Sequence, residues 1–199
     1  LFSIVGIVRV LGDLAKFAGA VASGDFTSQI RSREKGEIGG MIAAMRKIPD
    51  VLGEIIATAS NLGNAVHTGK LRERLDTSLF PGSFGHLAVA INTLSDSYVT
   101  IIDALPSPIM GCDKDYNIVF LNKNAQDVLA GEMLDVQCSG QLQASQCNTP
   151  ACLGRRAMES GAAVSAESTL HPHGQTIPVL VDAIPLFDER GRPAGFMEI

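Results

Sequence analysis

Four cysteine thiols are the side chains in this sequence with the greatest capacity for chemistry. Cys138, Cys147 and Cys152 lie in one stretch rich in Gly and Asn, with the spacing C-x8-C-x4-C, and Cys112 lies upstream of them. Thiolates in such a loop can bind zinc or an iron–sulfur cluster, although this spacing matches no strong metal signature. The thiols can also form a redox disulfide or stay free as packing residues, and the sequence leaves these alternatives open.

The sequence contains no recognisable catalytic set. It has no phosphate-binding loop, no glycine-rich dinucleotide turn and no kinase motif. His171 and His173 flank Pro172 in a predicted turn, where we expect exposed side chains, with metal or haem ligation as the alternative. The net charge of −5 does not suggest a nucleic-acid-binding surface. We therefore predict that the chain is not an enzyme and has no nucleic-acid partner.

The first eight residues are apolar but much shorter than the roughly 20 residues that cross a bilayer as a helix. We interpret residues 1–8 as the truncated end of a transmembrane helix; the first turns of an amphipathic helix are the alternative. Arg9 and Lys16 follow and suit a cytoplasmic flank, because basic residues accumulate on that side of a membrane. The sequence therefore predicts the cytoplasmic portion of an inner-membrane protein.

An apolar pattern repeats about 45 residues further along the chain, and each copy is predicted to be helix, connector, helix. The helices carry apolar residues at alternating steps of three and four, which is the pattern of a coiled-coil seam. We assign to this seam Val10, Leu14, Phe17, Val21, Met41, Met45, Ile48, Leu52, Ile55, Leu62, Val66, Leu87, Ile91, Leu94 and Tyr98. A single chain cannot bury so narrow a stripe, so the pattern predicts a parallel homodimeric four-helix bundle. Antiparallel packing of the two copies within one chain is the alternative.

Pro49 lies inside the second predicted helix. A proline there removes a backbone hydrogen bond and clashes with the preceding turn, at a cost of about 3 kcal/mol. We therefore expect a kink or a short restart of the helix at this residue.

Two short motifs stand out in the first copy, Gly24-Asp25-Phe26 in the connector and Glu37-Ile38-Gly39 at the start of the second helix. With them, residues 9–56 resemble a HAMP domain, the relay module of bacterial transmembrane receptors. The second copy has Gly69 in its connector and Phe84 in its following helix. Residues 57–104 resemble the divergent second HAMP domain of some chemotaxis transducers.

The pattern changes after Leu105, where closely spaced prolines end the helix. Two short strands, small helices and then three strands follow in the prediction, and residues 130–152 are predicted to be irregular. This order over residues 105–199 resembles a PAS domain, with a C-terminal end that we interpret as truncated. The haem-type histidine and the flavin-type cysteine motif of some PAS domains are missing, so the cofactor is unknown. The fold class is α+β multi-domain: parallel dimeric four-helix bundles, then a PAS α/β domain with an antiparallel five-stranded sheet.

Together these resemblances imply a fragment of a methyl-accepting chemotaxis protein, a transmembrane receptor. The fragment would relay a conformational change from a membrane helix through the HAMP bundles to the PAS domain and a downstream signalling domain. The implied partners are a second copy of the chain, the chemotaxis histidine kinase and its coupling protein. The input half of a sensor histidine kinase is one alternative. A PAS module that senses redox state or metal through its cysteines is another.

Overall fold

A computed structural model of the chain describes residues 4–30, 34–129, 131 and 133–199. The first three residues of the predicted membrane-helix end therefore lie outside the described part. Three long helices come first: α1 (Ile4–Ala22), α2 (Gly36–His67) and α3 (Ser83–Asp103), with a 3-10 turn at Thr77–Leu79 before α3. Among the described helices, none is long and apolar enough to cross a membrane.

The two copies of the repeat share their backbone geometry. The chain leaves α1 through Gly24 and leaves α2 through Gly69, and both glycines have φ +88, a left-handed value that ends a helix at little cost. Gly39 near the start of α2 and Gly85 near the start of α3 each press against a preceding backbone carbonyl oxygen, that of Glu34 and of Phe80, where a Cβ would collide. The two copies therefore share the backbone geometry of their turns as well as their apolar pattern.

Each copy of the repeat buries its own small apolar cluster. In the first copy, Val10, Leu14 and Phe17 of α1 pack with Ile30 of the connector and Ile42 of α2. In the second copy the cluster is formed by Ile55, Leu62, Leu75, Phe80 and Ala88. A connector residue takes part in each cluster, which explains how a long polar connector stays on its helices.

The predicted seam divides into two groups in the single chain. Several of its members are buried within the chain, as just described. Another group is exposed, with side chains 38–62% accessible: Met41, Ile48, Val66, Leu87, Leu94 and Tyr98. The exposed group forms an apolar stripe along α2 and α3.

The expected restart at Pro49 is not observed, because α2 continues as one helix on both sides of this residue. Pro49 is buried, and it lies beside Phe17 and Phe26 of the first copy. Burial of the ring opposes the local cost of the missing backbone donor.

The part after α3 is a five-stranded antiparallel sheet with three short helices. Its strands are β1 (Met110–Asp113), β2 (Ile118–Leu121), β3 (Val164–Leu170), β4 (Ile177–Phe187) and β5 (Pro193–Glu198), in the order β2-β1-β5-β4-β3. Its helices are α4 (Lys123–Leu129), α5 (Cys138–Leu142) and α6 (Leu153–Ser160), and a 3-10 turn lies at Pro172–Gly174. The predicted sheet of five antiparallel strands is confirmed. Helix α5 lies in the segment predicted to be irregular, and its five residues are too few to show a helical period.

Candidate functional site

Asn122 joins the end of helix α3 to the sheet. Its side chain is fully buried, and its Oδ1 accepts hydrogen bonds from the N–H groups of Ile109 (2.8 Å) and Ala125 (2.9 Å). Its Nδ2 donates to the carbonyl oxygens of Ile102 (3.1 Å) and Ser107 (2.9 Å). The bond to Ala125 caps the start of α4, as is common for an asparagine directly before a helix. The link to α3 could not be predicted, because it depends on tertiary contact.

Arg72, from the connector of the second copy, also holds this junction. Its guanidinium pairs with the Asp103 carboxylate at 3.2 Å, donates to the carbonyl oxygen of Leu121 at 3.3 Å, and lies 5.4 Å from the centre of the Phe120 ring. Asp103 in turn accepts a hydrogen bond from the N–H of Lys123 at 3.0 Å. One basic side chain therefore connects the second connector, the end of α3 and strand β2.

Gly69 brings the connector backbone against the outer face of the sheet. A Cβ at this residue would lie 3.2 Å from both Leu186 and Val119, so a larger residue would push the connector away from the strands. The next contact along the connector is Leu71, which packs with an apolar cluster formed by Val99, Ile109 and Phe120. We call this contact of residues 69–72 with the sheet and the end of α3 the docking contact.

Apart from Gly69, the residues that carry the HAMP resemblance are not gathered into one site. Asp25 is exposed and accepts hydrogen bonds from Thr27 and Ser28, which hold the pKa of its carboxyl at about 2. The remaining members occupy turns or helix starts: Gly24 and Glu37 are exposed, and Phe26, Ile38, Gly39 and Phe84 are partly buried. Their placement is that of local turn and cap residues, and Gly69 alone among them touches the sheet.

An apolar cavity of about 230 Å³ lies between the sheet and the helices that cover it. Met110, Leu129, Leu142 and Val181 are among its lining residues, and Glu198 is the one ionisable residue in the described lining. Removal from water raises the pKa of the Glu198 carboxyl to about 7, and a hydrogen bond from the Gly154 N–H opposes this effect. The arrangement suits a small apolar molecule with one polar group.

The four cysteines converge beside this cavity. Cys138, Cys147 and Cys152 line a second cavity of about 50 Å³, together with Tyr116 and Arg155. Cys112, in the middle of β1, packs in one apolar cluster with Cys138. All four are free thiols. The structure therefore brings together residues that the sequence only places in one stretch plus one distant strand.

The cysteines do not have the arrangement of a metal site. Within the described residues, no group of three or more Cys, His, Asp or Glu side chains is placed to hold a metal ion. Burial raises the pKa values of the Cys147 and Cys152 thiols, which keeps them protonated. The described geometry thus does not provide the set of thiolates that zinc or a cluster needs.

The predicted histidine turn is correct in position but different in exposure. The 3-10 turn at Pro172–Gly174 forms where expected, yet His171 is only partly exposed. Its backbone N–H donates to the carbonyl oxygen of Leu142, and its ring nitrogen lies 3.3 Å from the Thr176 hydroxyl. The side chain of His173 lies outside the described part. A helix–turn contact of this kind leaves no signal in the local sequence.

Comparison with solved structures finds chains that match about half of this one. One is the PAS domain of nitrogen regulation protein NR(II) from Vibrio parahaemolyticus, at 15% identity and TM-score 0.43, covering 51% of this chain and 93% of that chain. Another is the PAS domain of an HTR-like protein from Haloarcula marismortui, at 16% identity and TM-score 0.46, covering 57% and 95%. The blue-light photoreceptor Vivid is similar at 18% identity and TM-score 0.38, covering 52% and 91%.

Comparison by sequence gives one match, to a family model, and none among curated proteins. No curated protein matches the chain significantly. The family model of the PAS fold matches residues 102–199, which is the part of the chain that contains the sheet, both cavities and the cysteines. The order of strands and helices in this part agrees with that match. Residues 102–199 are therefore a PAS domain, a sensory and signalling module.

Proposed function

We propose that the chain is the relay and sensor portion of a bacterial transmembrane chemotaxis receptor. In this proposal residues 9–56 are a HAMP domain, residues 57–104 are a second HAMP-like bundle, and residues 1–8 end a membrane helix. The chain acts as a parallel homodimer on the cytoplasmic side of the inner membrane and has no catalytic activity. A downstream domain, outside this sequence, contacts the chemotaxis histidine kinase and its coupling protein.

The docking contact is the observation that carries this proposal. A relay must join the moving helices to the sensor by more than a flexible peptide link. Gly69 meets the sheet through its backbone, and Arg72 spans Asp103 at the end of α3 and Phe120 in β2. A shift of α2 along its axis would therefore move the connector against the PAS sheet. Small helix shifts between discrete packings are a known mode of switching.

The exposed stripe supports the dimer. Leu87, Leu94 and Tyr98 recur on one face of α3 and are 49%, 58% and 62% exposed in the single chain. Burying apolar surface is worth about 25 cal/mol per Å², so a parallel partner helix would gain stability along the whole stripe. The opposite face of α3 carries the polar residues Asp96 and Thr100 and a single exposed apolar side chain, Val89.

The apolar cavity supports a sensing role for the PAS domain. An engineered cavity of about 150 Å³ is enough to bind benzene, so about 230 Å³ accommodates a small ring with a substituent. The ligand proposed here is an apolar molecule with one hydrogen-bonding group directed at Glu198. Leu142 of α5 and Leu129 of α4 line the same cavity, so occupancy would bias the positions of both helices.

Disulfide crosslinking tests the dimer and its orientation. In a Cys147→Ser/Cys152→Ser background, Leu94→Cys and Tyr98→Cys place a thiol on the stripe. Thr100→Cys places one on the far side of the same helix and is the matched control. We expect mild oxidation to give covalent dimers with the stripe variants and few with the control, as seen on a gel without reductant. Equal crosslinking at all three positions, or none at the stripe, would contradict the parallel bundle.

A further inference from the structure

Cys112 and Cys138 form a buried pair of thiols in the PAS core. Cys112 is wholly buried in the middle of β1, and Cys138, the first residue of α5, is 6% exposed. Both pack in the same cluster with Ile118, Leu121 and Phe196, and their side chains are close enough to share a hydrogen bond. Two free thiols packed in one cluster can form a disulfide where their Cα atoms come within about 4.4–6.8 Å of each other.

We propose that Cys112 and Cys138 form a redox-active dithiol site that a hydroperoxide oxidises to a disulfide. The inference does not depend on the receptor function proposed above. It concerns a site whose residues come from two separate elements of the PAS domain.

The two thiols are chemically unequal, and this assigns their roles. The hydrogen bond from Cys112 lowers the pKa of Cys138, while the same bond and burial raise the pKa of Cys112. The thiolate is the nucleophilic form of cysteine, and of this pair Cys138 lines the second cavity, so Cys138 attacks first and Cys112 resolves. Cys147 and Cys152 have raised pKa values because of their burial, and they are therefore the less reactive pair.

An oxidant can reach Cys138 through the second cavity. This cavity of about 50 Å³ is lined by Cys138 itself, by the other two loop cysteines and by the polar groups of Tyr116 and Arg155. A water molecule needs a cavity of only about 10–15 Å³, so a molecule the size of hydrogen peroxide fits. Cys112 does not line this cavity, which agrees with its assignment as the resolving thiol.

The reaction balances with the hydroperoxide as the sole oxidant. The Cys138 thiolate attacks one peroxide oxygen, the O–O bond breaks, and a sulfenic acid forms on Cys138. The other oxygen takes up the proton that Cys138 released on ionisation and leaves as water or an alcohol. The Cys112 sulfur then attacks the Cys138 sulfur, the S–O bond breaks, and a water molecule leaves with the Cys112 proton. The two thiols lose two electrons in total, and the peroxide gains them.

Oxidation would tie helix α5 to the central part of the sheet. Leu142 at the end of α5 lines the apolar cavity, and β1 pairs with both β2 and β5. The disulfide would therefore fix the side of the cavity that α5 forms. Thiol reductants would release it, which suits a reversible input in a reducing compartment.

The test uses the 199-residue chain with the Cys147→Ser/Cys152→Ser substitutions, which leaves only the proposed pair. Both substituted residues are half-buried and outside the core cluster, so the fold should survive. The anaerobic reduced protein is treated with hydrogen peroxide, denatured and alkylated, and its mass is measured. We expect both remaining thiols to be lost together, with an intramolecular Cys112–Cys138 disulfide in the peptide map. Dithiothreitol should restore both thiols.

A Cys112→Ala variant in the same background separates the two roles. It should stop at a sulfenic acid on Cys138, which dimedone traps, and form no intramolecular bond. Two alkylatable thiols after peroxide treatment of the folded Cys147→Ser/Cys152→Ser protein would overturn the proposal. A wild-type chain that instead forms a Cys138–Cys147 or Cys138–Cys152 bond would also overturn it. Circular dichroism of each variant confirms that the protein measured is folded.

Discussion

Removing the Arg72 side chain should loosen the junction between the helices and the PAS sheet. The Arg72→Ala variant loses the ion pair with Asp103. The Arg72 and Asp103 side chains are 36% and 26% exposed, so this ion pair is worth at most about 1 kcal/mol. It also loses a contact with the face of the Phe120 ring, worth about 0.5–1 kcal/mol at a partly exposed position. The bond to the Leu121 carbonyl oxygen adds about 0.5–1.5 kcal/mol. The expected loss is about 1–3 kcal/mol, because such contributions are not fully additive.

This loss can be measured locally by hydrogen exchange. A destabilisation of about 1.4 kcal/mol raises a local opening equilibrium about tenfold. We therefore expect faster amide exchange in the Arg72→Ala variant at residues 103–109 and 118–123, by roughly fivefold to a hundredfold. Mass spectrometry of peptides that cover these residues gives the exchange rates.

Arg74→Ala is the matched control. Arg74 lies in the same connector and pairs with Asp96 at 2.7 Å, within the second helical copy. Its removal should speed exchange near Leu75 and Asn92, which hydrogen-bond each other, and leave β2 unchanged. If both variants change the same peptides, or if Arg72→Ala leaves residues 103–123 protected as in the wild type, the docking contact does not couple the two parts.

Three further predictions concern single positions. Gly69→Ala should lower the melting temperature more than Gly24→Ala. Both glycines have φ +88, which costs of the order of 1 kcal/mol for alanine, but a Cβ at Gly69 would also press on Leu186 and Val119. Equal shifts in melting temperature would contradict the close approach of Gly69 to the sheet. Asn122→Ala should destabilise the chain by at least about 2 kcal/mol in urea unfolding, because it leaves the N–H groups of two buried residues, Ile109 and Ala125, without their acceptor. A loss below about 1 kcal/mol would show that water replaces the amide. The raised pKa of Glu198, about 7 in the folded chain against 4.5 as the ordinary value, means that the folded state holds a proton that the unfolded state releases. The free energy of unfolding should therefore fall as the pH rises between these two values and level off above about 7. Glu198→Gln should remove this fall, as measured by urea titrations at several pH values. If the variant keeps the same pH dependence, the titrating group lies elsewhere.

Local signals in the sequence predicted the elements well where the element itself carries the pattern. The strands and turns of the PAS sheet follow from short strand-like runs between turn signals, and the left-handed Gly24 marks the end of α1. Of the kink or restart expected at Pro49, the restart does not occur, because the local penalty was known and the burial of the ring was not. Helix α5 was missed because five residues are too short for a period.

The candidate site was much less predictable than the elements. The sequence identified the cysteines as the residues with chemistry, but it grouped Cys138 with Cys147 and Cys152 by their spacing. The structure keeps these three around one cavity and also packs Cys138 with Cys112, from a strand that is distant in the sequence. Glu198 carried no signal, because an acidic residue near the end of a strand is ordinary until its neighbours are known to be apolar.

By itself, the sequence determined the repeat, the helix ends and the order of the strands along the chain, because each depends on interactions between residues close in the chain. The pairing of β1 with β5 joins residues more than 80 positions apart, so the order of the strands within the sheet was decided by the tertiary structure. Only the tertiary structure decided which apolar stripe of α2 and α3 is buried within the chain and which is left exposed. It alone decided that Gly69 and Arg72 rest on the PAS sheet, and that two of the four thiols touch. The physical reason is the same in each case: burial and pairing depend on which distant surface arrives, and a local pattern contains no information about its partner.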